Sequence, residues 1–320
     1  MSLITMRDVR KSYPVKGGAV HALDGLNLSV EEGTVRGLLG PNGAGKTTTV
    51  KVLTTLTTPT SGTATVAGLD VATQGREVRE IIGASGQYAT IDEQLSARQN
   101  LVMIGRLFHM GDKQAKTRAD ELLEIFALDK AADRPIKGFS GGMRRRADLA
   151  ASLVNDPKIL FLDEPTTGLD PAARLALWDV IRQRVAQGTT LLLTTQYLEE
   201  ADALADDISV IDHGTVIAEG TADELKSRVG GQRVSITLVN SADLDQAEQL
   251  LAEVSKDGAE GVTRDGTTLA ARVDSGPDAL EKVLAHLRNH NIELHDAGMA
   301  RPSLDDVFLT LTGGKAGDGQ

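Results

Sequence analysis

Apolar and polar positions fall into two rhythms along this chain. Residues 3–39 alternate them, with turn signals at Gly17-Gly18, Asp24-Gly25 and Glu32-Gly33, which predicts a run of antiparallel strands. That run closes on GTVRGLLG, a strand ending in glycine. From Lys46 to Leu56, KTTTVKVLTTL reads as a helix in spite of its β-branched threonines. Residues 92–128, including RADELLEIFAL, space their apolar side chains by three and four, the mark of a helix. Residues 141–154 predict another, closed by the turn Asn155-Asp156-Pro157. Strand KILFLDEP, helix PAARLALWDVIRQRVAQ stopped by Gly188, and strand TTLLLTT follow. Strands alternating with helices in this way predict a parallel α/β sheet.

Near residue 220 the rhythm changes. Thr221 caps a short helix with Glu224 three positions on, and Gly230-Gly231 breaks the chain, so a domain boundary is expected there. The expected division is a large domain over 1–228, a small α+β domain over 229–312 and a disordered tail over 313–320. Within the small domain RVSITLVN, ADLDQAEQLLAEVSK, TLAARV and ALEKVLAHLRNHN read as strand, helix, strand, helix, and SLDDVFLTLTG closes with a helix capped over Ser303 to Asp306.

Composition narrows the function classes. A chain of 320 residues has room for two unequal cores. Its net charge of -11 argues against a general affinity for nucleic-acid phosphates. With no cysteine, thiolate metal sites, disulfides and a cysteine nucleophile are excluded, and the composition fits a reducing compartment. Charges scattered through MSLITMRDVRKSYPV predict no export signal, and apolar runs such as ILFL fall short of the roughly 20 residues that cross a bilayer. Any membrane role is therefore expected to come through a partner.

Three motifs carry chemistry. GLLGPNGAGKTTT has the spacing G-x-x-x-x-G-K-[ST], between a predicted strand and a predicted helix. Backbone N–H groups of Gly40, Pro41-Asn42-Gly43-Ala44 (save the proline) and Gly45 would converge on phosphate oxygens at a helix N-terminus. Lys46 would reach the β and γ phosphates, Thr47 would ligate Mg2+, and Thr48 would touch the next phosphate inward. ILFLDEP places Asp163 and Glu164 at the carboxyl end of an apolar strand, where open parallel sheets bind ligands. Asp163 can hold Mg2+ directly or through water, and Glu164 can act as general base toward water. By themselves these two also read as the polar start of a loop. In GFSGGMRRRADLAASL, Ser140 caps a helix while Gly141 and Gly142 leave backbone N–H groups open to an anion. A plain capped helix needs only the serine, and Arg144 to Arg146 alone read as a solvated charge run.

The phosphate loop, SGG and LDEP, in this order and spacing, closely resemble the ATP-binding cassette (ABC) ATPases over roughly residues 3–225. The resemblance implies a P-loop ABC core, with an antiparallel β subdomain, a RecA-like parallel-sheet core and a helical subdomain, followed by the small α+β domain. It implies that Ser140, Gly141 and Gly142 meet the γ-phosphate of ATP held by a second cassette, so that a homodimer or heterodimer forms. Tyr13 looks like the aromatic residue stacking on adenine, its alternative being simple packing. Gln87 looks like the glutamine that meets Mg2+ or its water and senses the membrane partner. Asp170 looks like the aspartate crossing the dimer interface, and it also suits a helix N-cap before Pro171.

One position departs from the pattern. The family commonly places histidine after the strand LLLTT, where it contacts the γ-phosphate, and this chain has Gln196. An amide can donate to a phosphate oxygen but cannot carry a proton at neutral pH. TTQYLEEAD, SGGMRRRADLA and SLDDVFLTLTG are together similar to the daunorubicin-resistance type of bacterial exporter ATPase, in which glutamine looks usual. The resemblance thus implies an ATP- and Mg2+-dependent translocase at the cytoplasmic face of the membrane. It would be held there by a separate integral-membrane permease docking over 88–139, a region whose Leu107, Phe108 and Met110 read as exposed apolar residues or equally as core, and would export an antibiotic or lipid-like compound. Two alternatives stand beside it: a soluble cassette acting on nucleic acid or ribosomes, which the acidic balance disfavours, and an ATP-binding switch with weak hydrolysis, which Gln196 raises.

Overall fold

ILFLD and TLLLTT, the segments without a polar face, form the strands Ile159–Asp163 and Thr190–Thr195, and every residue of both is buried. Burial on both faces is what a parallel strand between two covering layers requires. The computed structural model describes residues 2–86, 91–229, 232–300, 304, 307 and 308. It divides into two compact units, Met1–Ala222 and Asp223–Gln320.

In chain order the first unit runs β1 (Ser2–Val15), β2 (Gly18–Glu31), β3 (Val35–Leu39), α1 (Lys46–Leu53), β4 (Ser61–Val66), β5 (Leu69–Asp70), α2 (Gly75–Ile81) and β6 (Ile82–Ser85). It continues through α3 (Ala97–Leu107), α4 (Asp112–Ile125), α5 (Gly141–Ser152), β7 (Ile159–Asp163), α6 (Pro171–Ala186), β8 (Thr190–Thr195), α7 (Leu198–Leu204), β9 (Asp207–Asp212) and β10 (Thr215–Gly220). One sheet has the order β10-β9-β3-β8-β7-β6 and is parallel except at the edge strand β10. The other, β2-β1-β4-β5, is antiparallel.

The antiparallel reading of 3–39 thus holds for β1 and β2 and fails for β3, which lies parallel between β8 and β9. The physical difference is in the side chains: β1 and β2 alternate buried and open positions, whereas Val35, Gly37, Leu38 and Leu39 are all buried. Asp24-Gly25 is not a turn either. β2 runs through it, and Gly25, at φ 83°, is the extra residue of a bulge between the pairs Val9–Leu26 and Arg10–Asp24.

The pleat of β7 divides the core in two. Leu160 and Leu162 join Leu191 and Leu193 beneath Leu101 of α3, Leu122 of α4, Leu149 of α5 and Trp178 of α6. Ile159 and Phe161 point the other way, joining Leu38, Leu192 and Val50 beneath the β1–β2 hairpin. The helical stretch expected over 92–128 divides into two helices: α3 opens with a capping box between Ser96 and Gln99, and His109 takes a left-handed φ of 61° before α4 begins.

The division between the two units falls in the first turn of α8 (Ala222–Val229). β11 (Gln232–Leu238), α9 (Leu244–Val254), β12 (Val262–Asp265), β13 (Thr268–Val273), α10 (Gly276–Asn289) and β14 (Leu294–Ala300) follow. Strand order β12-β13-β11-β14, all antiparallel, makes a split β-α-β arrangement of the ferredoxin-like kind, around Val234, Ile236, Leu251, Leu269 and Val283. The strand, helix, strand, helix reading lacks its two edge strands. β12 has no buried residue, and LHDAGMA in β14 has no regular alternation of large apolar side chains. Ser303, Asp306 and the tail 313–320 lie outside the described residues.

Phe161 is fully buried at the centre of the first unit. Phe161→Ala is expected to lower the stability of that unit by about 3–5 kcal/mol, read as a lower urea midpoint of its unfolding transition.

Candidate nucleotide site

β3 ends at Leu39 and α1 begins at Lys46, so the glycine-rich segment is the link from a parallel strand to a helix. Two of its glycines are required by close approach. A Cβ on Gly40 would stand 2.4 Å from the carbonyl oxygen of Ile211, and one on Gly45, at φ 109°, would stand 2.6 Å from that of Ala22. The turn after β9 straps the loop from behind: Gly214 N–H donates to Ala44 O at 2.9 Å, and Gly214 O accepts from Asp24 N at 3.0 Å. Asn42 and Gly43 are exposed, Pro41, Thr47 and Thr48 half-buried, and Ala44, Gly45 and Lys46 buried.

At the same edge of the sheet β7 delivers its carboxylates. Asp163 Oδ1 accepts from the hydroxyls of Thr194 at 2.5 Å and Thr47 at 3.3 Å. Glu164 leaves the strand with a left-handed φ of 49°, its N–H held by Thr194 O at 3.0 Å. That backbone turn brings Glu164 Oε1 to 3.5 Å from Lys46 Nζ. Lys46 Nζ also donates to Gly40 O at 2.7 Å and Pro41 O at 3.1 Å. Burial pushes the Lys46 ammonium below the usual lysine range, while the carboxylates of Glu164 and Asp163 pull it back. The loop, the lysine and both carboxylates of the sequence reading therefore come together.

Other expected residues stand apart from that cluster in their bonding. Ser140 is the N-cap of α5, accepting from Met143 N at 3.3 Å, and Ser140 and Gly141 are exposed while Gly142 is half-buried. Asp170 caps α6 by accepting from Ala173 N at 2.9 Å and is exposed. Tyr13 is half-buried on β1, with Lys11 Nζ 5.0 Å from its ring centroid. Gln196 follows the last residue of β8 and is half-buried; the next residue, Tyr197, has its ring 5.6 Å from the Arg174 guanidinium of α6. Gln87 lies outside the described residues. Of the apolar residues singled out for docking, Leu107 is 70% exposed while Phe108 and Met110 are half-buried.

Two contributions escaped the sequence reading. Thr194 was part of an apolar strand on paper, yet its hydroxyl holds Asp163 and its carbonyl holds Glu164. The three arginines were read as solvated, yet Arg145 turns inward onto the backbone of this edge. A signal for the second existed. Each residue turns a helix by about 100°, so three consecutive side chains cannot share one solvent face.

A carboxylate and a hydroxyl oxygen converging at the N-terminus of α1 form a hard-donor pair that suits Mg2+. Among the described residues no group of three or more His, Asp or Glu could hold a metal; Mg2+ is ordinarily bound by one or two protein ligands together with waters and substrate phosphates. A cavity of about 460 Å3 opens beside Glu164, lined also by Gly141, Arg144, Arg145, Asp148 and Thr167. Among the described residues no helix is long and apolar enough to cross a membrane.

Comparison with known proteins bears on the family and the fold. The ABC transporter family model matches residues 23–167, and the model for the C-terminal domain of DrrA1-3-like ATP-binding proteins matches 220–312. The chain is 54% identical over 296 residues to a daunorubicin resistance ATP-binding protein, DrrA2, of Streptomyces coeruleorubidus, covering 92% of each. It is 38% identical over 316 residues to the Nod factor export ATP-binding protein I of Ralstonia nicotianae, covering 97% of this chain and 94% of that protein. A solved ATP-binding cassette, dimeric and bound to ADP and Pi, shares the fold with a TM-score of 0.64 at 24% identity, over 68% of this chain and 98% of its own.

Close behind the site, Glu200 of α7 is fully buried and accepts from Trp178 Nε1 at 3.2 Å. Burial raises its pKa above the ordinary glutamate value, against the pull of its hydrogen bonds and of Arg174. A raised folded-state pKa means the folded chain binds this proton more tightly, so the stabilisation is complete below the unfolded value and is lost as pH rises through the folded one. Glu200→Gln keeps an acceptor for Trp178 and has no such loss. Its urea midpoint relative to the parent chain is expected to rise as the pH is raised above the ordinary glutamate value of 4.5.

Proposed function

The chain belongs to the ATP-binding subunits of ABC transporters and is an ATPase, and from that premise we propose that it powers export of an apolar antibiotic or lipid-like compound through a separate membrane permease. The observation that carries the assignment of its chemistry is the convergence of Lys46, Thr47, Asp163 and Glu164 at one sheet edge, with Glu164 Oε1 3.5 Å from Lys46 Nζ and Thr47 Oγ1 3.3 Å from Asp163 Oδ1. In this reading the backbone N–H groups of 40–45, with Lys46 and Thr48, bind the phosphates of ATP. Thr47 and Asp163 would hold Mg2+, with Gln87 as a further ligand directly or through water, and the ion would supply charge neutralisation on the phosphate oxygens. Glu164 orients water and takes its proton as the oxygen attacks the γ-phosphorus, leaving ADP and phosphate. Tyr13 stacks on the adenine.

The exposed N-terminus of α5, Ser140-Gly141-Gly142, faces the γ-phosphate held by a second copy, and Asp170 crosses the same interface, so that two ATP molecules are enclosed by a homodimer. Closure on ATP and reopening after hydrolysis would drive the permease. Gln196 donates its amide N–H to the γ-phosphate in place of an imidazole. Work of this kind places the chain at the cytoplasmic face of the cell membrane, held by the permease. The similarity to the daunorubicin resistance and Nod factor export proteins supports the class of cargo.

Glu164→Gln is expected to lower ATP turnover by about 10²–10⁴-fold with ATP binding retained, measured as phosphate release beside nucleotide affinity; unchanged turnover would remove Glu164 from the mechanism. Gln196→His is expected to change turnover or ATP affinity. If both stay at the parent values, Gln196 is an ordinary surface amide.

A further inference from the structure

The three consecutive arginines of α5 do three different things. Arg144 pairs with Glu93 at 2.9 Å, and Arg146 donates to Phe126 O at 2.9 Å. Arg145, with a side chain only 15% exposed, points at the carboxyl edge of the parallel sheet. Its Nε donates to Pro165 O at 2.7 Å, one terminal nitrogen to Asp163 O at 3.0 Å and Glu164 O at 2.9 Å, and the other to Gly86 O at 2.7 Å. Asp148, one turn along α5, lies 3.6 Å from the guanidinium and itself accepts from Ser85 Oγ at 2.6 Å.

Three successive carbonyls cannot face one donor in an extended strand, because strand carbonyls alternate in direction. They converge here because Glu164 takes a left-handed φ of 49°, a conformation a non-glycine residue holds only when its surroundings enforce it. The planar fork of one guanidinium supplies the donors on one side of that turn, and Thr194 binds the Glu164 N–H on the other. The same fork takes Gly86 O, the last described residue after β6 and the one before Gln87.

We infer that Arg145 is a positioning residue for hydrolysis: it fixes the turn that aims the Glu164 carboxylate and ties that turn to the exit of β6 and to the helix that Ser140 caps. This inference rests on Glu164 being the general base. Arg145 touches no reacting atom; its effect passes through the backbone of 163–165. A lysine keeps the buried charge but offers a single ammonium, which cannot span carbonyls on two separate strand exits.

The test uses the full chain with Arg145→Gln, Arg145→Lys, Glu164→Gln and the double variant R145Q/E164Q, each measured for kcat, KM, nucleotide affinity and thermal unfolding. In both Arg145 variants kcat is expected to fall by about ten-fold to a hundred-fold, as a misplaced catalytic group produces, with ATP affinity within about three-fold of the parent. The double variant is expected to turn over no more slowly than Glu164→Gln alone, because a residue acting through Glu164 has nothing left to position. Should R145Q not fold, R145K carries the same criterion. The inference is overturned if both Arg145 variants keep the parent kcat, if kcat and ATP affinity collapse together with thermal stability, or if the double variant loses a further factor as large as the single. Normal turnover by Glu164→Gln would remove the base assignment itself, and the inference with it. A dead E164Q beside fully active R145Q and R145K would remove only the positioning role.

Discussion

A buried ammonium and a buried carboxylate set the terms for the rest of the first unit. Lys46 and Glu164 are 4% and 7% exposed and 3.5 Å apart, one at the start of α1, the other just past the end of β7. Glu164 is the nearer of the two carboxylates that compensate the Lys46 ammonium, Asp163 being the other, in an interior where an unpaired ion is costly. For the two to meet, β3 and β7 must end at the same edge of one sheet, which they do with β8 between them. That strand order is observed, and Thr194 of β8 holds the Asp163 carboxylate with its hydroxyl and the Glu164 backbone N–H with its carbonyl. The pair is thus a constraint on topology before it is a piece of chemistry.

The approach of backbone to backbone is the second constraint. Gly40 and Gly45 pack so closely on Ile211 and Ala22 that a methyl group at either would displace neighbouring main chain. The loop is held by β9 and β2 from outside its own segment, and the Gly214 turn adds two main-chain hydrogen bonds. An anion-binding loop works when its N–H groups are fixed in advance, and here that fixing is done by residues far away in sequence. The second unit has its own sheet and its own apolar core, and none of this geometry requires it.

Legibility in the sequence followed physical range. Continuous apolar strands, the G-x-x-x-x-G-K-T spacing and the acidic end of ILFLDEP are local patterns, and each produced the element and the placement it suggested. β3 was misjudged because a turn-rich alternating stretch leads into it, and only its pairing with β8 and β9 reveals a central strand. The edge strands β12 and β14 escaped because an edge needs little burial and leaves little pattern. Arg145 looked like one member of a charged run because composition says nothing about direction. The helical period argued otherwise, but it could not say which arginine would turn inward.

What the sequence determined by itself is the chemistry available: a glycine-rich loop with its lysine and threonine, two adjacent carboxylates after a buried strand, and a serine-glycine helix start. These follow from local spacing, because strand and helix periods place neighbouring residues predictably. What only the tertiary structure decided is which of them meet. The left-handed turn at Glu164 aims its carboxylate at Lys46, and the Thr194 and Arg145 bonds hold that turn from opposite sides. Contacts of this kind join segments between about 20 and 120 positions apart, and no local pattern carries them, because they are selected by the packing of whole layers and not by the preference of any one stretch.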